Sequence, residues 1–244
     1  MKKIFMVLAI LGFITISTQY VVAQSSSANI TEQSDEPIHQ QLKTKFIEGG
    51  ANFMAALLLC LIFGLALAIE RIIYYALADT NAKKLLSKIE EALINGDIES
   101  AKETCRTTRG PLASICYQGI ARIDQGLDVV EKSIISYGGV QTSLLEKGLS
   151  WIQLFIAVAP MLGFLGTVLG MIAAFDSIQQ AGDISPNIVA YGMKIALITT
   201  VGGLVVAIIL QFFYNYLLSR IDSLVIQMED SSISLMDILT KTQK

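Results

Sequence analysis

Charged side chains are scarce in this chain. Only 16% of its 244 residues are Asp, Glu, Lys or Arg, whereas soluble domains average about 25%. Histidine occurs once and cysteine three times without a CxxC pair, so we expect three reduced thiols and no zinc site. A net charge of −3 gives no reason to expect nucleic acid. Together with 53% hydrophobic residues and a mean hydropathy of +0.57, these shortages predict an integral membrane protein.

Four long apolar stretches interrupt the polar sequence. The first, residues 4–16, follows two lysines and leads to small residues ending at Ala23, which predicts a secretory signal peptide over residues 1–23. A short uncleaved anchor is the alternative. The other three stretches reach the roughly 20 residues that a bilayer core requires. We therefore predict transmembrane helices over residues 51–75, 148–177 and 188–218.

The distribution of basic residues orients these helices. Residues 71–147 contain ten of the 18 Lys and Arg residues, whereas residues 176–191 contain none. The positive-inside rule therefore places residues 76–147 in the cytoplasm and residues 178–187 in a periplasmic loop. The predicted topology is N-out and C-in, with residues 219–244 forming a cytoplasmic C-terminal helix.

Helical signals also occur outside the spans. In the predicted periplasmic segment, residues 24–50, apolar residues recur at helical spacing from Ile38, which favours an amphipathic helix on the membrane surface over a plain polar lead-in. Further along, Asn95-Gly96 predicts a helix end, Asp97 a helix cap and Gly110-Pro111 a new start. We expect the cytoplasmic helices to bundle below the membrane.

A charged pair, Glu70 and Arg71, stands at the end of the first span beside two tyrosines. Such a group is typical of an interfacial anchor, with the rings among the headgroups and the arginine snorkelling. A functional role for Glu70 at the cytoplasmic mouth is the alternative.

Small residues and threonines mark the second and third spans. Gly163, Gly166 and Gly170 thin one helix surface so that another backbone can approach closely, and Thr167 lies on the same surface. The third span has the same combination of small residues and threonines, with Thr199, Thr200, Gly202 and Gly203. If the spans run in opposite directions, Thr167 and Thr200 lie within about two turns of each other in depth. We interpret this as an ion path; a hydroxyl bonded only to its own helix is the alternative.

The spans contain no carboxylate in their interior, since Glu70 and Asp176 lie at their ends, and protons cross membranes on Asp, Glu or His relays. A titrating acid must therefore come from another polypeptide. Lys194 is the one charge inside a span, and we expect it to snorkel outward. The chain shows no Ser-His pair, no membrane aspartate pair, no H-E-x-x-H and no P-loop lysine, so we expect neither an enzyme nor a cofactor.

Two motifs carry a resemblance to a known family. Residues 159–170, with Pro160, Gly166-Thr167-Val168 and Gly170, and the Ala-Leu-x-Thr-Thr-x-x-Gly-Leu run of residues 196–204 resemble the MotA/TolQ/ExbB proton channel family. The Glu70-Arg71 end of the first span and the turn at Arg109-Gly110-Pro111-Leu112 also look like its ExbB-type members. One position departs from the pattern: many members have a glutamate five residues before the second threonine, where this chain has Ile195.

The resemblance implies an all-α membrane protein that forms a homopentamer around a central pore, with Pro160, Gly163, Gly166, Gly170 and Gly203 packing the pore helices. It implies an ExbD-like single-span partner, whose membrane aspartate carries protons past Thr167 and Thr200, and a TonB-like protein driving outer-membrane uptake. Alternatives are a TolQ-like subunit, a gliding or flagellar stator and a non-conducting membrane scaffold.

Overall fold

The computed structural model describes residues 38–182 and 186–242. The predicted signal peptide and most of the polar segment after it lie outside these residues. From Thr44 onward the chain forms one compact unit, whereas only residues 38–43 are described of the unit that precedes it. The described residues are helical apart from turns and caps, which confirms the all-α class at this level.

The residues that the structure describes form eight α-helices. They are α1 (Ile38–Glu48), α2 (Ala51–Ala78), α3 (Ala82–Ile94), α4 (Ile98–Thr107), α5 (Pro111–Ile120), α6 (Leu127–Glu146), α7 (Leu149–Ala181) and α8 (Pro186–Thr242), with a short 3-10 helix at Ile123–Gln125 between α5 and α6.

Three helical stretches are long and apolar enough to cross a membrane, judged by length and composition. Their most apolar windows lie in α2, α7 and α8 and have mean hydropathies of 2.5, 2.1 and 2.4. Only 22 to 33% of each window is buried within the chain, so most of this apolar surface is open to lipid or to other subunits. The chain is therefore a multi-pass membrane protein.

The short helices begin and end where local signals predict. The Asn81 side chain caps α3 by accepting from the Lys84 amide at 3.1 Å, and Asp97 caps α4 by accepting from Ser100 at 2.9 Å. Gly96 has a φ of +77°, which ends α3 at little steric cost. Proline at the first position of α5 lacks an N–H that would have no helical partner there.

The helix ends near the membrane differ from the predicted ranges. α7 continues to Ala181, four residues beyond residue 177, and ends at Gly182 with a φ of +71°. The predicted loop of residues 178–187 is therefore helical at both of its ends, and residues 183–185 lie outside the described part. α8 runs without a break through residue 218 to Thr242.

Two apolar cores hold the helices together. The larger unites the end of α2, helices α3–α6, the start of α7 and the C-terminal half of α8; we call this part the extramembrane bundle. The smaller lies within the spans and consists of Leu57, Cys60, Ala159, Val206 and Leu210. Leu210 fits against Gly64, where a Cβ would lie 2.6 Å from it. Helices α2, α7 and α8 thus run without a break between the spans and the bundle.

Candidate functional site

The backbones of α7 and α8 approach closely along a seam of small residues. A Cβ placed on Gly203 would lie 2.5 Å from the carbonyl oxygen of Ala159, and one on Gly166 would lie 2.6 Å from Thr199 Oγ1. Real Cβ atoms essentially never come that near another atom. Glycine is therefore required at both positions by the packing within one chain.

Gly163 and Gly170 continue this seam on α7. A Cβ on Gly163 would lie 3.0 Å from the Thr199 carbonyl oxygen, and one on Gly170 would lie 3.2 Å from Ala196 Cβ. Pro160, half-buried inside α7, has no N–H to donate to the turn before it. The structure thus places the four predicted packing glycines at the contact between α7 and α8.

Two threonine hydroxyls meet across this seam. Thr167 Oγ1 on α7 lies 2.5 Å from Thr200 Oγ1 on α8. Each also lies 3.2 Å from the carbonyl oxygen of Gly163. We call Thr167 and Thr200 the hydroxyl pair. Because the two helices run in opposite directions, residues 33 positions apart come to the same depth.

The hydroxyl pair lies on the side of α8 away from α2. Leu57 of α2 packs near Gly202, which is two residues, or about 200°, around the helix from Thr200. Large apolar side chains on the surface around the pair are exposed in the single chain: Phe164, Val168, Leu197, Val201 and Leu204. The pair therefore borders an apolar surface that the chain itself leaves uncovered.

Thr199 points elsewhere. It is 1% exposed, and its hydroxyl donates to the Ala196 carbonyl at 2.8 Å, with the Gly163 carbonyl at 3.4 Å. It fills the seam opposite Gly166 instead of bordering the open surface. The structure therefore separates Thr199 from the hydroxyl pair, although all three side chains surround one carbonyl oxygen.

Arg71 is largely buried within the chain. Its side chain is 14% exposed, and its Nε lies 3.0 Å from Glu70 Oε2 as an ion pair, without the alignment of a hydrogen bond. The guanidinium lies against Gly148, where a Cβ would be 3.2 Å from Nε, and 5.4 Å from the Tyr74 ring. Arg71 therefore packs against the junction of α6 and α7, and its role as an interfacial anchor stays a prediction.

Lys194 also has a partner. Its Nζ lies 2.8 Å from Glu48 Oε1 at the end of α1, and Lys45 approaches the other carboxylate oxygen at 3.1 Å. Hydrogen bonds from Lys194 and Lys45 lower the pKa of Glu48 below its ordinary value. This charged cluster ties the turn before α2 to α8 at Lys194, six residues, or about 9 Å along the helix, before Thr200.

Sequence reasoning missed two parts of this arrangement. Periodicity placed the threonines on faces but did not identify the Gly163 carbonyl as their shared acceptor. Glu48 drew no attention, although a charge at the edge of a span beside an internal lysine signals a pair. Ile195 is half-buried and lies beside Gly192 and Tyr191 in a cavity of about 340 Å³, away from the hydroxyl pair.

The chemistry available at the seam is that of neutral hydroxyls. Over residues 38–182 and 186–242 no group of three or more His, Cys, Asp or Glu side chains could hold a metal ion. Hydroxyls can donate and accept hydrogen bonds, but they do not hold an extra proton near neutral pH. The site can therefore solvate a titrating group that approaches from the open surface.

Comparison with known proteins finds a matching family model and several relatives of this chain. The model of the MotA/TolQ/ExbB proton channel family matches residues 108–230, which include the hydroxyl pair and the seam. An ExbB homolog of biopolymer transport proteins from Methanothermobacter thermautotrophicus is 31% identical over 162 residues, covering 66% of this chain and 57% of that protein. Biopolymer transport protein exbB1 of Vibrio cholerae is 39% identical over 69 residues, 28% of this chain and 30% of its own length.

A third relative, the biopolymer transport protein ExbB-like 3 of Synechocystis, is 29% identical over 161 residues, covering 63% of this chain and 74% of that protein. The chain thus spans little more than half of the first relative and under a third of the second. These matches are to the ExbB type of protein throughout.

Proposed function

Because this chain belongs to the MotA/TolQ/ExbB proton channel family, we propose that it is the proton-conducting stator subunit of an ExbB-ExbD-type motor. The motor lies in the bacterial inner membrane and uses the proton motive force to energise TonB-dependent transport across the outer membrane. Names of relatives that refer to biopolymer transport support this role.

The assembly that we propose is a homopentamer around the membrane helix of an ExbD-like partner, with a TonB-like protein as the recipient of the work. The uncovered apolar surface beside the hydroxyl pair supports this arrangement, because several copies of α7 and α8 could enclose a pore with that surface inside. α2 packs on the other side of α8 and then lies toward the lipid.

The observation that carries the proposal is the hydroxyl pair itself. Thr167 and Thr200 lie 2.5 Å apart at the edge of an open apolar surface, in spans whose carboxylates lie only at their ends. Polar groups at membrane depth are costly unless they have partners or a function. A carboxylate from a partner helix supplies the titrating group that these spans lack.

The hydrogen-bond donors and acceptors of the two hydroxyls determine which form of a partner acid the pair can bind. Each hydroxyl has one proton to donate and can accept in return. If one hydroxyl of the pair donates to the Gly163 carbonyl, the other can donate to it and retains a free lone pair. In this order the pair accepts from a protonated partner acid. When the first hydroxyl instead turns its proton from the Gly163 carbonyl to the second hydroxyl, the second is free to donate to the partner's carboxylate. The pair therefore stabilises both protonation states without titrating.

The energy available is modest but sufficient for one mechanical step. At about 150–200 mV, one proton crossing the membrane releases about 3.5–4.6 kcal/mol, since each 100 mV is worth about 2.3 kcal/mol per charge. A hydrogen bond to a charged group is worth about 1.5–3 kcal/mol. The free energy of a hydrogen bond between the hydroxyl pair and the partner acid is therefore comparable to the free energy of proton transfer, and it is large enough to control whether the proton passes.

Replacement of each hydroxyl by a methyl group tests this proposal. We expect Thr167→Val and Thr200→Val to leave assembly intact, by native mass spectrometry and copurification with the ExbD-like partner. We also expect each to reduce gradient-dependent uptake by at least tenfold. Thr199→Val is the matched control, because it makes the same change at the same depth inside the seam, and it should reduce uptake much less. Normal assembly and normal uptake in both principal variants would show that the threonines are structural and that the chain is a scaffold.

A further inference from the structure

The extramembrane bundle contains a polar groove that the proposed motor does not use. A cavity of about 410 Å³ lies between α5 and α6, and a second of about 490 Å³ lies between α4, α5 and α6. Gln118 and Tyr137 line both cavities, so the two join into one groove. Sites for small molecules usually have volumes of 300–1,000 Å³, and this groove falls in that range.

The groove concentrates positive charge in a chain whose net charge is −3. Arg122 and Lys132 line the first cavity and Arg106 lines the second, and no carboxylate lines either one. Among the residues that the structure describes, none of these three cations forms an ion pair. An anion in the groove would therefore meet three cations whose charges no protein carboxylate neutralises.

Arg122 is held in place by neutral groups. Its Nη1 donates to Gln118 Oε1 at 2.6 Å and to Ser133 Oγ at 2.7 Å, which ties the guanidinium to both α5 and α6. Nε and Nη2 take no part in these bonds. An arginine already fixed in position loses little side-chain entropy when it binds a phosphate, and its planar fork suits two phosphate oxygens.

Hydroxyl groups complete the lining. Ser136 lies beside Lys132 in the first cavity, and Tyr117 lies beside Arg106 in the second, while Tyr137 faces both. These three hydroxyls form no hydrogen bond with the described part of the chain. They are therefore available to donate to the oxygens of a ligand, and the two tyrosine rings offer apolar surface to its organic part.

A lipid headgroup cannot reach this groove. Gly119, next to Gln118, packs near Leu235, where a Cβ on the glycine would lie 3.4 Å from the leucine side chain. Leu235 is 17 residues beyond the predicted end of the third span at residue 218, which is about 25 Å along a helix that rises 1.5 Å per residue. The ligand must therefore come from the aqueous phase, which by the predicted topology is the cytoplasm.

We propose that this groove binds a small phosphorylated metabolite, with phosphate at Arg122 and Lys132. Such a ligand bridges α4 and α5 to α6, whose end leads through Gly148 into α7 and the hydroxyl pair. Binding is therefore placed to stiffen the connection between the bundle and the spans. This inference requires only the folded chain and does not depend on the proposed motor.

Binding to the purified full chain in detergent tests the proposal. The probes are ADP and sodium pyrophosphate, measured by isothermal titration calorimetry at constant ionic strength, with sodium chloride as the reference salt. We expect saturable binding of both probes and an increase in the midpoint of thermal unfolding. Arg122→Gln and Lys132→Gln should each weaken binding at least tenfold.

Matched controls keep the result interpretable. Lys88→Gln removes an exposed charge from α3, outside the groove, and should leave binding unchanged. Lys132 is exposed and makes no recorded hydrogen bond, so its variant should fold even if Arg122→Gln does not. No saturable binding at millimolar concentrations, equal binding by the Lys132 and Lys88 variants, or tighter binding of a poly-glutamate peptide than of ADP would each overturn the proposal.

Discussion

Burial governs the chemistry of the individual cysteines outside the spans. Cys105 and Cys116 are 3% and 0% exposed. Burial raises the pKa of the Cys105 thiol to about 12, and it raises the pKa of Cys116 further, with a small contribution from Cys105. At pH 8, a thiol with a pKa near 12 is ionised in about one molecule in ten thousand, and only the thiolate reacts rapidly.

We therefore expect the native cysteines to resist thiol reagents. Incubation of the folded chain with a maleimide at pH 7–8 should give no adduct at Cys105 or Cys116, whereas the denatured chain should be modified at all three cysteines. Intact-mass spectrometry counts the adducts directly. Rapid labelling of either residue in the folded protein would show that the bundle opens far more readily than its packing indicates.

At the scale of single residues, the sequence indicated which residues are important. It was less successful in indicating which partners they contact. The spacing of Thr167 and Thr200 on antiparallel spans was enough to place them at similar depth. It could not show that Thr199 faces into the seam, because a small rotation of either helix exchanges adjacent threonines. Nor could it pair Lys194 with Glu48, since 146 residues separate them and only tertiary packing brings them together.

Among the helices, the seam between α7 and α8 makes a glycine-to-alanine comparison informative. A Cβ on Gly166 would lie 2.6 to 3.1 Å from three atoms of Thr199, whereas one on Gly139 in α6 would meet nothing within 4 Å. Overpacking typically costs about 1–3 kcal/mol. Alanine at an open helical position instead stabilises the folded protein by about 0.5–1 kcal/mol relative to glycine.

We expect Gly166→Ala to lower the midpoint of thermal unfolding and Gly139→Ala to maintain or raise it. Circular dichroism of the purified proteins in one detergent measures both. Since the seam joins two helices of one chain, the loss should be visible in unassembled protein as well. Equal stability of the two variants would mean that α7 and α8 lie further apart than in this structure.

The connection between α1 and α8 provides a second test among the helices. Lys194 and Lys45 lower the pKa of Glu48, so the folded state favours the ionised carboxylate more than the unfolded state does. This contribution is complete above the ordinary pKa of glutamate, about 4.3, and is lost as pH falls through the lowered value. The Lys194 and Glu48 side chains are both partly exposed, so we expect their ion pair to stabilise the turn before α2 and to add little to global stability.

We expect Lys194→Gln to increase amide hydrogen exchange in residues 44–50 at pH 7, with global stability nearly unchanged. The wild-type chain should keep this protection down to about pH 4–5, after correction for the intrinsic pH dependence of exchange. Lys88→Gln is the control, since its charge has no ion-pair partner in the described part of the chain. Unchanged exchange in the Lys194 variant would show that apolar contacts alone hold this turn, such as that of Gly49 with Ile198.

Helix boundaries show why local signals predict helix ends better than hydropathy does. The caps at Asn81 and Asp97 are chemical features of one or two residues, so the sequence reveals them. The end of α7 has a comparable signal in Gly182, whose φ of +71° suits a helix C-cap. The predicted range was bounded by hydropathy, which marks the apolar part of α7 and not the residue at which the helix ends.

Considered as a whole, the molecule has apolar spans between two polar ends of unequal charge. Ten of its 18 basic residues lie between Arg71 and Lys147, in the segment that joins α2 to α7 and forms most of the extramembrane bundle. The opposite end, where α7 gives way to α8, has no basic residue over residues 176–191. By the positive-inside rule we expect the bundle to lie in the cytoplasm, the location that the proposed metabolite groove requires.

Accessibility from the two sides of the membrane tests this orientation. We expect a cysteine replacing Asn187, which is exposed at the start of α8, to react with an impermeant thiol reagent added to intact spheroplasts. A cysteine replacing Lys88 in α3, also exposed, should react only after the membrane is permeabilised. The buried native cysteines contribute little background. The reverse pattern would invert the expected topology, and it would place the groove outside the cytoplasm.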